Sequence, residues 1–348
     1  MKLTPKIVLV VLIISLFGSV LEIWGGSWDI TSHAIGAPES FFTPPHAVLY
    51  SGVGISLIAA IIALGIISKD KEIRHESFSF GLKLIIIGSM IQIVAGPSDY
   101  LWHELFGTDG LLSPTHLTLI TGILIQSVGI IVGLTRLIPH NFKAVKPALT
   151  VGFSALWFIV IAFAFQFGLP ISNGETINLN PDPYVGVIIL GITIPFFCTL
   201  IFWGAVKSMK GFGWASIAVA GLIIMNITAN VIPNEDLWGF SSWFAVPMIS
   251  AIIGDAIMNN KIKINKFKEE IAGGVVGAVF IVNSMPLVGM SFIQFYVFNE
   301  VSGYSLLTEF SETLAIWFGV LSIPSAIIGI IAVKIAKKKI PIPVESTI

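Results

Sequence analysis

The sequence predicts an all-α polytopic membrane protein of about ten transmembrane helices, built from repeated helical hairpins, with both termini cytoplasmic. Three observations lead there. The first is composition: of 348 residues, 55% are hydrophobic and 11% charged, and the mean hydropathy is +0.92. Apolar runs of about 20 residues recur between charged punctuation, the length needed to cross a hydrocarbon core. The second is the sorting of Lys and Arg into alternate connections. The third is a stretch that occurs twice.

The expected spans lie near 6–25, 46–68, 80–98, 116–138, 147–168, 184–206, 212–232, 242–259, 271–296 and 312–335. Lys2 and Lys6 precede the first of them. It has the basic start and apolar middle of a leader peptide, but no small-residue cleavage site follows and it is the counterpart of the third span, so it is read as a membrane helix. Lys69, Lys71 and Arg74 join spans two and three; Arg136, Lys143 and Lys146 join four and five. Lys207 and Lys210 follow span six, Lys261 to Lys268 supply four more after span eight, and Lys334 to Lys339 close span ten. The intervening loops, 24–46, 97–116, 169–184, 232–242 and 297–312, contain no Lys or Arg. The positive-inside rule assigns those loops to the outer face of the cell membrane.

The repeated stretch occupies Ser27–Gly52 and returns seventy residues later at Ser98–Gly122. Asp29, His33, His46 and Gly52 align with Asp99, His103, His116 and Gly122, so each copy reads D-x3-H-x12-H-x5-G. The chain has only 6 His, and four of them fall at these matched offsets. Upstream, Gly18-Ser19 aligns with Gly88-Ser89 and Glu22 with Gln92. The sequence thus divides into a duplicated four-helix half, 1–140, with repeats near 15–66 and 85–136, and a six-helix half, 141–348, with degenerate repeats. Asn226, Asn230 and Trp243 keep the repeat's spacing without a His, and Leu306-Leu307-Thr308 ahead of Glu309 and Glu312 is a fainter echo.

Within each copy, Asp and His at i and i+4 share one helix face one turn apart. Gly36-Ala37-Pro38 and Gly107-Thr108-Asp109-Gly110 break the helix. Thr43-Pro44 and Ser113-Pro114 then pair a hydroxyl N-cap with proline at the first helical position. His46 and His116 therefore open the next helix, where the positive end of its dipole favours a neutral imidazole. One carboxylate and two imidazoles form a ligand set that suits copper, zinc or iron(II) alike, and the spacing does not choose among them. Two mononuclear sites and one shared dinuclear site both fit the spacing. Glu22, Gln92, Glu39, Asp109 and Tyr50 are candidates for orienting the ligands, with Glu22 also a candidate proton relay. No residue is assigned a catalytic role. Trp24, Trp28, Trp102 and Phe41 read as an interfacial aromatic belt, and His75 and His140 as solvated loop residues. The single Cys198 reads as a buried core residue, and a net charge of −1 argues against a nucleic-acid partner.

The second His of the first copy lies in FFTPPH and that of the second in LLSPTH. In spacing, residue type and helix-entry proline, both segments resemble the copper-binding segment of the C subunit of membrane-bound particulate methane and ammonia monooxygenases. That family carries the motif once, in a shorter bundle; its later Asn and His ligands have no clean counterpart here. The resemblance implies copper at Asp29/His33/His46 and Asp99/His103/His116, O2-dependent hydroxylation of a small apolar substrate, and partner subunits of the same kind or a homo-oligomer. Two readings stand beside it: a transporter or metal-handling protein, and a non-catalytic metal-stabilised subunit of a larger membrane complex.

Overall fold

A computed structural model describes residues 5–34, 43–107, 112–168, 179, 183–233, 235, 238, 241–264, 266–280 and 303–339. For 33–34, 183–184, 186–187, 243 and 303–320 it describes the backbone alone. Among the described residues every regular element is helical. In chain order these are α1 (Pro5–Ala34), α2 (Pro44–Lys69), the short α3 (Lys71–His75), α4 (Ser79–Phe106), α5 (Pro114–Arg136), α6 (Val145–Gly168) and α7 (Pro183–Met209). Then follow α8 (Trp214–Asn226), α9 (Ser241–Ala245), α10 (Pro247–Met258), α11 (268–280) and α12 (Gly303–Lys339). Among the described residues seven helices are long and apolar enough to cross a membrane, and the protein is a helical, membrane-embedded one. They are α1, α2, α4, α5, α6, α7 and α8 with its π-helical extension. Phe17, Ile61, Val94, Ile192 and Ile224 face outward while Leu12, Leu82, Trp157 and Phe202 fill the interior, an apolar-all-round pattern suited to lipid.

The region expected to form span eight is divided into α9 and α10 at the Val246–Pro247 step. Proline cannot supply the amide that would continue the helical ladder. Span nine is described only to residue 280, and span ten lies inside the longer α12. Because α12 begins at Gly303, Thr308 sits within a helix rather than at an entry to one.

Helices α1 and α2 form one hairpin, α4 and α5 another, and α2 packs on α4 while α1 packs on α5 and α6. Glycines bring the backbones of each hairpin together. A Cβ at Gly18 would lie 2.9 Å from the Gly52 carbonyl oxygen, and one at Gly88 would lie 2.6 Å from that of Gly122. Going the other way, a Cβ at Gly52 would crowd Glu22 and one at Gly122 would crowd Gln92. The aligned residues thus make the same contacts in both hairpins. Small residues at the crossing allow this approach, where dispersion rather than the hydrophobic effect holds helices together.

The remaining helices pack along the α1–α6 side. The Trp157 indole donates to the Cys198 carbonyl at 3.0 Å, joining α6 to α7, and the thiol of Cys198 is fully buried. The end of α8 widens into a π turn over Ile227–Val231 that lies against the outer part of α1. There Asn230 Oδ1 accepts from Ser27 Oγ (2.9 Å) and Thr31 Oγ1 (2.8 Å), and its amide donates to Asn226 Oδ1. Trp24 donates its indole N–H to Thr228 at 2.9 Å, so this ring faces the helix contact rather than an outer aromatic belt. Tyr100, Leu101 and Leu105, at the corresponding end of α4, are exposed and suit such a belt.

Candidate metal centre

Each candidate ligand is positioned by a helix end. α1 continues to Ala34 and α4 to Phe106, so Asp29, His33, Asp99 and His103 all stand in the last turns of long helices. α2 and α5 start at Pro44 and Pro114, which puts His46 and His116 in the first turn of the returning helix. The proline needs no amide partner there, and its fixed φ suits a helix start.

In the second hairpin three side chains converge. Asp99, His103 and His116 each offer one donor atom, and the three atoms lie within 4.8 Å of one another. His116 Nε2 is 3.4 Å from Asp99 Oδ1 and His103 Nε2 is 3.7 Å from Asp99 Oδ2. Metal–nitrogen and metal–oxygen bonds of about 2.0–2.2 Å keep donors at most ~4.4 Å apart, so a few tenths of an ångström of side-chain adjustment closes the trio on an ion. The donor set and its spacing fit a transition metal.

Local bonds hold the trio. α4 ends on Gly107 at φ 74°, a conformation glycine adopts without strain, and its carbonyl faces His103 Nδ1 at 3.4 Å. With Nδ1 on that side, Nε2 faces Asp99. The Ser113 hydroxyl accepts the His116 amide at 3.0 Å and so caps α5. Thr115 donates its hydroxyl to Asp99 Oδ1 at 2.6 Å. Sequence reasoning passed over Thr115; the signal was its place between the helix-entry proline and the histidine, where the first copy has Pro45.

In the first hairpin His46 Nε2 lies 3.2 Å from Asp29 Oδ2, and His46 Nδ1 contacts the Thr43 hydroxyl at 3.1 Å. The Tyr50 ring stacks on His46 with centroids 5.6 Å apart. Its phenol lies within electrostatic reach of both Asp99 and Asp29, so the two constellations are neighbours on one end of the bundle. The backbone of His33 belongs to the last turn of α1, while its side chain, with Glu39 and Asp109, lies outside the described residues. Glu22 and Gln92 stand two turns inward of the aspartates and are fully buried. His75 and His140 are exposed, well away from the site.

Of the two asparagines singled out in the later sequence, Asn230 meets α1 through Ser27 and Thr31, and Asn226 accepts from the Asn230 amide. No family model, curated protein or solved structure matches this chain.

Proposed function

We propose that this is a membrane metalloprotein that holds its metal at the outer ends of the two hairpins, at Asp99/His103/His116 and at Asp29/His33/His46. The observation that carries the reading is the convergence of one carboxylate and two imidazoles in the second hairpin. Each of them comes from a helix end that the chain's own caps fix in place. Proximity of the first hairpin's Asp29 and His46 supports a second site of the same kind. The second trio closes among its own three side chains, which favours two mononuclear sites over one shared centre.

The resemblance to the C subunit of copper monooxygenases makes copper the first choice of metal, with zinc or iron next. Bound copper would supply the O2 chemistry of a hydroxylation. The chain's own share is different in kind: Asp99 and Asp29 hold negative charge against the site and accept from their neighbours, while Gly107 and Thr43 orient imidazole rings. The proposed substrate is small and apolar, reaching the site through lipid along the exposed apolar faces of α2 and α4. The sorting of Lys and Arg supports termini in the cytoplasm, a metal site on the extracytoplasmic side and about ten spans in all. Other monooxygenase-type subunits or further copies of this chain are the proposed partners.

A second reading, transport or metal handling, is favoured by one feature: buried polar side chains continue inward from the site at Glu22, Gln92, Gln126 and Ser56. Metal content and EPR of detergent-purified protein separate the possibilities. Stoichiometric copper with a nitrogen-rich Cu(II) signal, diminished separately by Asp29→Ala and Asp99→Ala, is expected. Loss of all bound metal in either single variant means one shared centre. Protein that stays metal-free after reconstitution overturns the reading. Turnover of a small apolar substrate that disappears in folded His116→Ala supports the oxidative branch over transport.

A further inference from the structure

Glu22 and Asp255 are both fully buried carboxylates, and they are treated in opposite ways. Asp255 of α10 answers every demand. Its Oδ2 accepts from the Gly213 amide (2.9 Å), the Ser216 amide (3.2 Å) and the Ser216 hydroxyl (3.0 Å), capping the start of α8; its Oδ1 accepts from Asn259 (2.6 Å). Glu22 of α1 closes no hydrogen bond with either oxygen. Its polar neighbours are Ser56 of α2 and Gln126 of α5, which stand beside it without reaching bonding geometry.

The surrounding bonds are committed to one another. Gln126 Nε2 donates to Ser56 Oγ at 2.8 Å, and Gln126 Oε1 accepts from Gln92 Nε2 at 2.9 Å and from Ser89 Oγ at 3.2 Å. Gln92 Oε1 is a third buried oxygen in this cluster without a partner. Among the described residues no cation answers these acceptors. On α1, α2, α4, α5 and α6 the described charged or titratable groups are Lys6, Asp29, His46, Tyr50, Lys69, Lys83, Asp99, Tyr100, His103, Glu104, His116, Arg136 and Lys146. Of the polar groups on these helices, Ser56 and Gln126 stand against Glu22. The facing part of α8 and its π turn carries no ionisable side chain.

A bare carboxylate in so apolar a setting is strongly disfavoured unless a positive charge sits on it. We propose that Glu22, with Gln92, Gln126 and Ser56 around it, is a binding site for a single monovalent positive charge, a proton or a sodium ion held by oxygen donors. The occupant is singly charged because the aligned position on α4 is the neutral Gln92, leaving one acid in the cluster. Space for the carboxyl is kept by Gly52, where a Cβ would come 2.9 Å from Glu22 Cγ. Seven residues separate Glu22 from Asp29, nearly two full turns, so both lie on one face of α1. The site is distinct from the metal ligands and stands whether or not they hold an ion.

Difference infrared spectroscopy on the full-length protein in detergent, with the outer metal chelated, tests this. The variants are Glu22→Gln, which copies the amide already found at 92, and Glu22→Asp. Wild type is expected to show a protonated carboxylic-acid band that is lost as pH rises, is absent in Glu22→Gln and moves in Glu22→Asp. If the occupant is sodium, adding Na+ in place of K+ at constant pH removes the band and shifts its titration midpoint tenfold in proton concentration for each tenfold in Na+. A proton-only site leaves the midpoint indifferent to Na+. Should Glu22→Gln fail to fold, as judged by circular dichroism and elution, the displaced band of Glu22→Asp carries the assignment. Spectra in which no band responds to pH or Na+, or in which the responsive band is the same in both variants, overturn the proposal.

Discussion

The two hairpins share a backbone plan and differ in the few side chains that tune it. Gly18/Gly52 and Gly88/Gly122 bring each pair of helices into the same kind of close contact, and Asp with a helix-entry His occupies the same end position in both. In the second hairpin Thr115 ties down Asp99 and the Ser113 hydroxyl caps α5. In the first, Pro45 replaces the threonine, and the Thr43 hydroxyl contacts the His46 ring, with no side-chain bond to the helix's amides. Tyr50 stacks on His46, where the second hairpin has Ile120. Deeper, the acid Glu22 of the first hairpin corresponds to the amide Gln92 of the second. The lesson is that two hairpins built on the same glycine contacts differ at the positions beside the candidate ligands and at the buried acid.

That comparison is most sharply broken by removing a ligand. Asp99→Ala should weaken metal binding at the second hairpin by more than about 100-fold, on the scale of losing one of three protein ligands plus the group that orients the imidazoles, while leaving the first hairpin's ion in place. Equilibrium metal titration reads it, and an equal loss at both hairpins sinks the idea of separate sites. Next in size is Thr115→Val, which keeps the shape and removes the donor to Asp99. Outer partners of this kind are worth about 10–100-fold in metal affinity, so the second site should weaken by that factor and the first should not respond.

The shared scaffold is tested by Gly18→Ala and Gly88→Ala. Each places a Cβ against a backbone carbonyl, and overpacking of this kind costs about 1–3 kcal/mol. Similar losses in apparent Tm are expected for the two; a harmless change at either one means that hairpin does not pack as tightly as its partner. The smallest effect separates the caps. Ser113→Ala should cost about 0.5–2 kcal/mol because a helix amide loses its acceptor, whereas Thr43→Ala should cost less, its hydroxyl being turned to the imidazole. Denaturant titration of both variants, side by side, gives the order.

How far the arrangement could be read in advance depended on range. The Asp99–His103 pair and the proline-led entry of α5 were legible because they rest on spacings of a few residues, which a helix converts directly into position. The seven long apolar helices were legible for the same reason: hydropathy over about 20 residues is a local property. Trp24 was not. A tryptophan near a span end suits an aromatic belt by composition, and only the approach of α8 turns its N–H to Thr228. Within its apolar span Gln126 is marked by no motif, yet it joins Gln92, Ser89 and Ser56 across three helices. The break between α9 and α10 was masked by apolar composition that continues through Pro247.

Period and punctuation along the chain were thus enough to establish a helical membrane protein whose paired hairpin ends carry matched carboxylate and imidazole groups. They also fixed which residues share a helix face, since 3.6 residues per turn leaves little choice. Which helices meet, and therefore which polar groups find partners, came only from the assembled bundle. Asp255 lies beside the start of α8 and is fully satisfied; Glu22 lies against Gly52 and is left with two unanswered oxygens. No local rule separates those two acids: apart from Asn259, the polar groups that decide their state come from other helices, some 30 to 100 residues away along the chain.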